Sequence, residues 1–322
     1  MNKRGFNPTE IIFSSTTACN LHCEHCFINR APKQLEISDA VALIESCVEA
    51  GSDIDRIGFS GGEPFLYMDF LVEVSKATVA HDLMFDQIMT NGDWWRDETD
   101  LTQKLQSLYD AGYDGKIGLS WDSYHGQSTD RMLTFIQKVQ KIFGEDSINI
   151  QTVEDVGEDS PSLQPASGLP LPPLTGGSAP RNAPLVSDNI PVYTLPRTYT
   201  SDDPRAWQAR HWFHEDYCEG PGQILYVHAD GNIAPCCGFA NENSALFIGT
   251  IHDSFETIME KAAANPMIKI CYEEGLSHYR RHGIKKSLRS QEKKLPGKCS
   301  DICSFCDFVC KQDPRVKPED DN

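Results

Sequence analysis

The chain has 322 residues and a formal net charge of −18. That length can carry a sizeable core and two domains, and the acidity argues against a duplex nucleic-acid binder, which needs a basic footprint. No apolar run approaches membrane-spanning length and the start, Met-Asn-Lys-Arg-Gly-Phe-Asn-Pro, has no apolar signal-peptide core, so the twelve cysteines read as metal ligands in a reducing cytoplasm rather than a disulfide framework.

Glu10-Ile-Ile-Phe-Ser-Ser-Thr predicts a short first strand, and Cys19-Asn-Leu-His-Cys23-Glu-His-Cys26 follows its C-terminal end, where parallel α/β folds keep their chemistry. Three thiolates spaced C-x3-C-x2-C can hold three irons of a [4Fe–4S] cubane and leave the fourth open to a small molecule. Zinc is the alternative, but it usually wants a fourth protein ligand, and the next cysteine is Cys47. Ser38 is expected to cap a helix through Val41, Ile44 and Val48 that Gly51 ends, with Cys47 a small core residue on its apolar face. Arg56–Ser60 predicts the second strand, closing on Phe59-Ser-Gly61-Gly62-Glu63-Pro64. Glycines there allow close backbone approach, and a carboxylate suits an ammonium group.

A helix at Met68–Ala80, a strand at Leu83–Thr90 ending in Thr90-Asn91-Gly92, and a helix from Asp97 to Asp110 come next. Lys116–Trp121 predicts a fourth strand, Thr129–Phe143 a helix and Ser147–Val153 a fifth strand. The fourth strand closes on Ser120-Trp-Asp122-Ser-Tyr124-His125, whose polar side chains can bind a ligand or cap neighbouring helices. This alternation implies a parallel α/β sheet. Proline and glycine in residues 157–189 exclude a regular helix, leaving a surface excursion or a substrate-binding lid. Ile190-Pro-Val-Tyr-Thr-Leu predicts a sixth strand.

Farther on, Gln223-Ile-Leu-Tyr-Val-His-Ala-Asp230-Gly231-Asn-Ile-Ala is a hairpin with its turn at Asp230-Gly231, which lets Cys218 and Cys236 meet at its open end. A helix is expected near Ser254–Ala264, Cys271 reads as a core residue, and the chain ends in Cys299-x3-Cys303-x2-Cys306-x3-Cys310. These cysteines make a second metal site, iron–sulfur or structural zinc.

On the Cys19, Cys23, Cys26 loop and the Gly-Gly-Glu-Pro turn, the chain resembles the radical S-adenosylmethionine (SAM) enzymes. The resemblance implies a partial (β/α)6 barrel over residues 1–200, a SAM-binding [4Fe–4S] cluster on those three cysteines, and His25 and Phe27 near the family's aromatic position. It puts Gly61, Gly62 and Glu63 on the methionine amine. Ser120 and Asp122 are suited to polar groups or ribose hydroxyls of SAM, and Thr90 and Asn91 are weaker candidates. Reductive cleavage would give methionine and a 5′-deoxyadenosyl radical, with a flavodoxin or ferredoxin as electron donor.

Residues 201–322 resemble the twitch or SPASM domains. This implies an auxiliary [4Fe–4S] cluster on Cys218, Cys236, Cys303 and Cys306, with Cys299 or Cys310 able to replace either member of the terminal pair. With Pro235-Cys236-Cys237 and Ile302-Cys-Ser-Phe-Cys added, the chain looks most like the peptidyl epimerases that mature epipeptides. That implies a ribosomal precursor peptide as substrate, Cα hydrogen abstraction, and Cys237 as hydrogen-atom donor; the other reading is that Cys237 ligates and Cys236 packs. Those epimerases carry an acidic residue in the hairpin strand where this chain has Gln223 or Ile224. Peptide crosslinking, oxidation of a small alcohol, and a non-catalytic iron–sulfur scaffold or redox sensor are the alternatives.

Overall fold

The β/α alternation folds as expected in a computed structural model that describes residues 5–28, 31–154, 190–220 and 222–316. The Pro/Gly-rich stretch 157–189 lies outside the described residues. The chain divides into two compact units: Phe13–Val41 with Arg56–Arg197, and Met1–Ile12 with Ala42–Asp55 and Thr198–Asn322.

In the first unit, β1 (Glu10–Ser14, whose last residues fall here), β2 (Arg56–Ser60), β3 (Met84–Thr90), β4 (Lys116–Ser120), β5 (Ile148–Glu154) and β6 (Val192–Pro196) lie in the order β6-β5-β4-β3-β2-β1. The pairs from β2 to β6 are all parallel. The central residues of β2 and β4 are buried in continuous runs, the pattern of strands covered on both faces. Helices α1 (Ile37–Glu49), α2 (Met68–Ala80), α3 (Glu98–Asp110) and α4 (Thr129–Phe143) make the crossovers. Asp97 caps α3 by accepting from Thr99 N and Asp100 N, both at 2.9 Å.

Helix α1 departs from expectation at both ends of its pattern. It begins at Ile37, so Ser38 lies inside its first turn, and its buried stripe is Ala40, Leu43, Ile44 and Cys47, with Val48 40% exposed. Cys47 is the expected core residue, and burial, with Glu256 adding to it, pushes its thiol up to about 12.

The second unit carries the antiparallel strands β7 (Gly222–Val227), β8 (Asn232–Cys236) and β9 (Gly249–Thr250). The β7–β8 turn closes with Gly231 N donating to His228 O at 2.8 Å and Gly231 at φ +85°, a left-handed conformation that favours glycine. Then follow α5 (Phe255–Ala264), a helical turn α6 (Pro266–Ile268), a π-helix (Lys269–Glu274), α7 (Leu276–His282), α8 (Ile284–Ser290) and α9 (Ile302–Gln312). Among the described residues, no helix is long and apolar enough to cross a membrane.

Candidate active site and auxiliary thiol centre

The C-terminal ends of β1 to β4 meet the three-cysteine loop around a cavity of about 260 Å³. Cys19, Cys23, Cys26, Gly62, Ser120 and His125 are in its wall, as are His25, Gly61 and Asn91. Glycine is required at the β2 turn because backbone meets backbone there. A Cβ on Gly62 would lie 2.2 Å from Ala18 O, and one on Gly61, at φ +128°, 2.6 Å from Thr16 O. Gly62 N donates to Thr16 O (2.7 Å) and Glu63 N to Ala18 O (2.8 Å), so the turn and the chain entering the cysteine loop are tied together.

Glu63 points away from the expected place. Its side chain is fully buried and outside the cavity wall. Oε1 accepts from Thr90 Oγ1 (2.8 Å) and Phe65 N (3.2 Å), and Oε2 from Asn91 N (2.8 Å). Burial pushes this carboxyl up to about 7, against those three donors. Glu63 therefore joins the ends of β2 and β3, and the backbone of Gly61 and Gly62 is what the motif presents to the cavity.

Asn91 has a second task. Its Nδ2 donates to Asn20 Oδ1 (2.9 Å) and approaches Cys19 Sγ at 3.7 Å, while Leu21 N donates to the same sulfur at 3.4 Å. Donors aimed at a sulfur favour its thiolate, the form that binds metal.

Asp122 is likewise turned from the cavity. Oδ1 accepts from His125 Nδ1 (2.7 Å) and Tyr124 N (2.9 Å), and Oδ2 from Val153 N (3.1 Å). Burial alone would raise its pKa, but the His125 ring and the two amides hold the carboxyl below its ordinary range. The group facing the cavity is His125, and Asp122 fixes its ring. His25 packs edge-on to His125 (4.9 Å) and Tyr124 (5.3 Å); burial, then His125, lowers its pKa. Phe27 is 38% exposed and outside the wall.

Sequence reasoning missed Gln127, whose Nε2 donates to Asn91 O (2.6 Å) and Ser120 O (2.7 Å) and so ties the ends of β3 and β4. A lone glutamine after a strand carries no sequence signal of this bridging. Three sulfurs at one cavity, one of them receiving two amide donors, fit a cluster held by three cysteines with an open side.

In the second unit the four cysteines singled out as ligands come together. Burial raises the Cys303 thiol well above its ordinary value, with Asp301, Cys236, Cys218 and Cys306 adding to it. Burial likewise pushes Cys218 up to about 12, and Cys306 and Cys237 reinforce the shift. Thiols raised this way keep their protons until a metal binds the sulfur and the protons are released to water. Asp301 caps α9 by accepting from Cys303 N (2.6 Å) and Ser304 N (3.3 Å), which places Cys303, Cys306 and Cys310 along the helix.

Cys271, read from sequence as a core residue, is 2% exposed but belongs to this group. Its Sγ is 3.9 Å from Cys306 Sγ, and its carbonyl accepts from Cys218 N at 3.1 Å. Cys271 and Cys310 hold the Cys306 thiol below its ordinary range. Cys299 stands apart: it is fully buried, and after burial its shift comes from Asp301 and not from another cysteine. Cys237, next to buried Cys236, is exposed.

Tetrahedral zinc would draw thiolates to within about 4 Å of one another. Among the described residues no three cysteine sulfurs fall within 4.8 Å; the group that does is His25, Asp122 and His125.

Residues 13–154 match the radical SAM superfamily. The chain is 23% identical over 316 residues to YydG of Bacillus subtilis (strain 168), a protein named for peptide biosynthesis, spanning 94% of this chain and 91% of that one. It is 37% identical over 116 residues to a GTP 3′,8-cyclase of Chlorobaculum tepidum, spanning 34% of this chain and 31% of the cyclase. The solved structure of native anSMEcpe with bound AdoMet and the Cp18Cys peptide superposes with a TM-score of 0.54 at 15% identity, over 96% of this chain and 98% of that one, a likeness of fold. The matched segment, which holds both the three-cysteine loop and the glycine turn, is a radical SAM domain, a kind of domain that uses SAM and a [4Fe–4S] cluster.

Proposed function

We propose that this enzyme modifies a ribosomally made precursor peptide by abstracting a Cα hydrogen and returning hydrogen to the opposite face, converting an L-residue to its D-form. The observation that carries the reading is the pair at the end of β8: Cys236 is buried among the other thiols, and Cys237 is exposed. Two similarities support a peptide substrate, the name of YydG and the peptide bound in anSMEcpe.

Cys19, Cys23 and Cys26 would hold the first cluster, and Cys218, Cys236, Cys303 and Cys306 the auxiliary one. Bound at the first site, SAM supplies on reductive cleavage a carbon radical able to take hydrogen from the substrate. Asn91 and Leu21 N orient and stabilise the Cys19 sulfur. The backbone of Gly61 and Gly62 receives the methionine amine, and Glu63, held by Thr90 and Asn91, keeps that turn in place. Ser120 and His125, in the cavity wall, would meet the adenosyl part, and Asp122 holds the His125 ring. Cys237 gives a hydrogen atom from sulfur to the substrate Cα, and a second electron from the flavodoxin or ferredoxin, with a proton from solvent, restores the thiol. A flavodoxin or ferredoxin supplies the electron that starts the cycle.

In deuterated water the product should gain one deuterium, because a thiol exchanges its proton with solvent and a buried C–H does not. Cys237→Ala should still cleave SAM and lose only the delivery of the second hydrogen. A product lighter by two hydrogens, formed equally by the variant, would establish crosslinking instead; loss of iron from the variant would make Cys237 a ligand.

A further inference from the structure

The chain is acidic overall, yet residues 280–298 hold eight of its 29 lysines and arginines and a single acidic residue, Glu292. The fold puts three of them on the exposed face of α8. In α8, Ile284, Ser287 and Leu288 are buried, while Lys285, Lys286 and Arg289 are exposed. Arg281 at the end of α7 and Lys294 after α8 are exposed too. Among the described residues, none of these five cations forms an ion pair, whereas Lys293 and Lys298 are spent on Gln312 Oε1 and Arg210 O. Like charges on one helix face, with two more exposed cations within five residues of it, repel one another, so nothing in the fold's own stability accounts for them.

The face is braced against the thiol centre. Asp313, fully buried just after α9, accepts from Ser287 Oγ on α8 (2.9 Å) and from Tyr279 Oη on α7, and pairs with Arg315 (2.7 Å). Arg315 in turn donates to Gly283 O (3.1 Å) between α7 and α8. The basic helices are thus pinned to the C-terminal end of α9, the helix that carries Cys303, Cys306 and Cys310. The π-helix that places Cys271 beside Cys306 leads directly into α7.

We propose that the exposed basic face of α8, Lys285, Lys286 and Arg289, with the exposed Arg281 and Lys294 on either side of it in the chain, is the docking surface for a small acidic electron-transfer protein. It rests on the reading of the neighbouring thiols as an iron–sulfur site. One electron leaves the partner's reduced carrier, which is oxidised, and enters the enzyme's iron–sulfur centres, which are reduced. The net charge of −18 repels an acidic partner from the rest of the surface, so a local basic face both attracts it and selects where it lands. The adjoining redox centre favours an electron carrier over an acidic peptide segment.

The test uses the reconstituted full chain and the triple variant Lys285→Glu/Lys286→Glu/Arg289→Glu, with the corresponding Gln triple as a milder change should the Glu triple fold poorly. SAM cleavage is driven either by dithionite or by a bacterial flavodoxin with its reductase, and flavodoxin binding is measured directly with and without added salt. The expected result is a rise on the order of tenfold in the flavodoxin concentration needed, for the Glu triple, and a smaller rise for the Gln triple. Wild-type binding should weaken as salt is raised, and dithionite-driven cleavage and peptide KM should stay unchanged. Equal flavodoxin dependence in all three proteins overturns the proposal. So does a raised peptide KM under dithionite with flavodoxin dependence unchanged, which would assign the face to an acidic peptide segment. Weakened flavodoxin binding in a protein whose C-terminal site holds no iron would keep the docking surface and overturn the iron–sulfur reading of that site.

Discussion

Glu63 shows how far a single side chain can depart from the role its motif advertises. Its carboxyl is pushed up to about 7 from an ordinary 4.5, so between those values the folded chain binds more protons than the unfolded one. The stability this group contributes is full below about pH 4.5 and is lost as pH rises through 7, a change on the order of 3 kcal/mol. Wild-type apoprotein should therefore lose denaturant resistance relative to Glu63→Gln between about pH 5 and pH 8; a constant gap between the two would show that Glu63 is ionised throughout. At Gly62 the prediction concerns geometry. Gly62→Ala puts a methyl against the Ala18 carbonyl, so the cysteine loop must shift. SAM affinity should fall at least tenfold with overall stability lowered by about 1–3 kcal/mol, read by equilibrium binding and by thermal melts. The composition of this turn was legible in sequence; the direction of the Glu63 carboxylate was not, because it depends on Thr90 and Asn91 arriving from another strand.

The elements of the first unit follow from local pattern. Strand runs, turn residues and the Asp97 cap depend on neighbours a few positions away, so β2, α2, α3 and α4 fall where the sequence puts them. Periodicity alone misplaced the buried face of α1, exposing Val48 and burying Leu43, since which stripe is covered is set by packing partners distant in sequence. Helix α9 makes the element-scale prediction. It carries three thiols beside an apolar face of Phe305, Phe308 and Val309, and a segment organised around a metal loses much of its folding free energy without it. Cys218→Ala or Cys303→Ala should leave the C-terminal third sensitive to limited proteolysis with the first unit protected. Finding zinc and no iron in the C-terminal region by elemental analysis would refute the auxiliary cluster.

At the scale of the whole molecule, two cubanes require about eight irons per chain. Replacing Cys19, Cys23 and Cys26 together by Ala should remove about half of the iron and all SAM cleavage, while the visible absorption of the remaining cluster persists. Full iron content in that variant would refute the first site. What the sequence by itself determined was the chemistry: three thiols at fixed spacing, a glycine turn that only a close backbone approach demands, and a hairpin whose Asp-Gly turn folds locally. These are short-range features, set by covalent geometry and residues within a few positions. The tertiary structure alone decided which polar groups face the cavity, turning Glu63 and Asp122 inward and presenting His125, and that Cys271 lies beside Cys306. Each of those outcomes rests on contacts between residues far apart in sequence, and no local pattern encodes them.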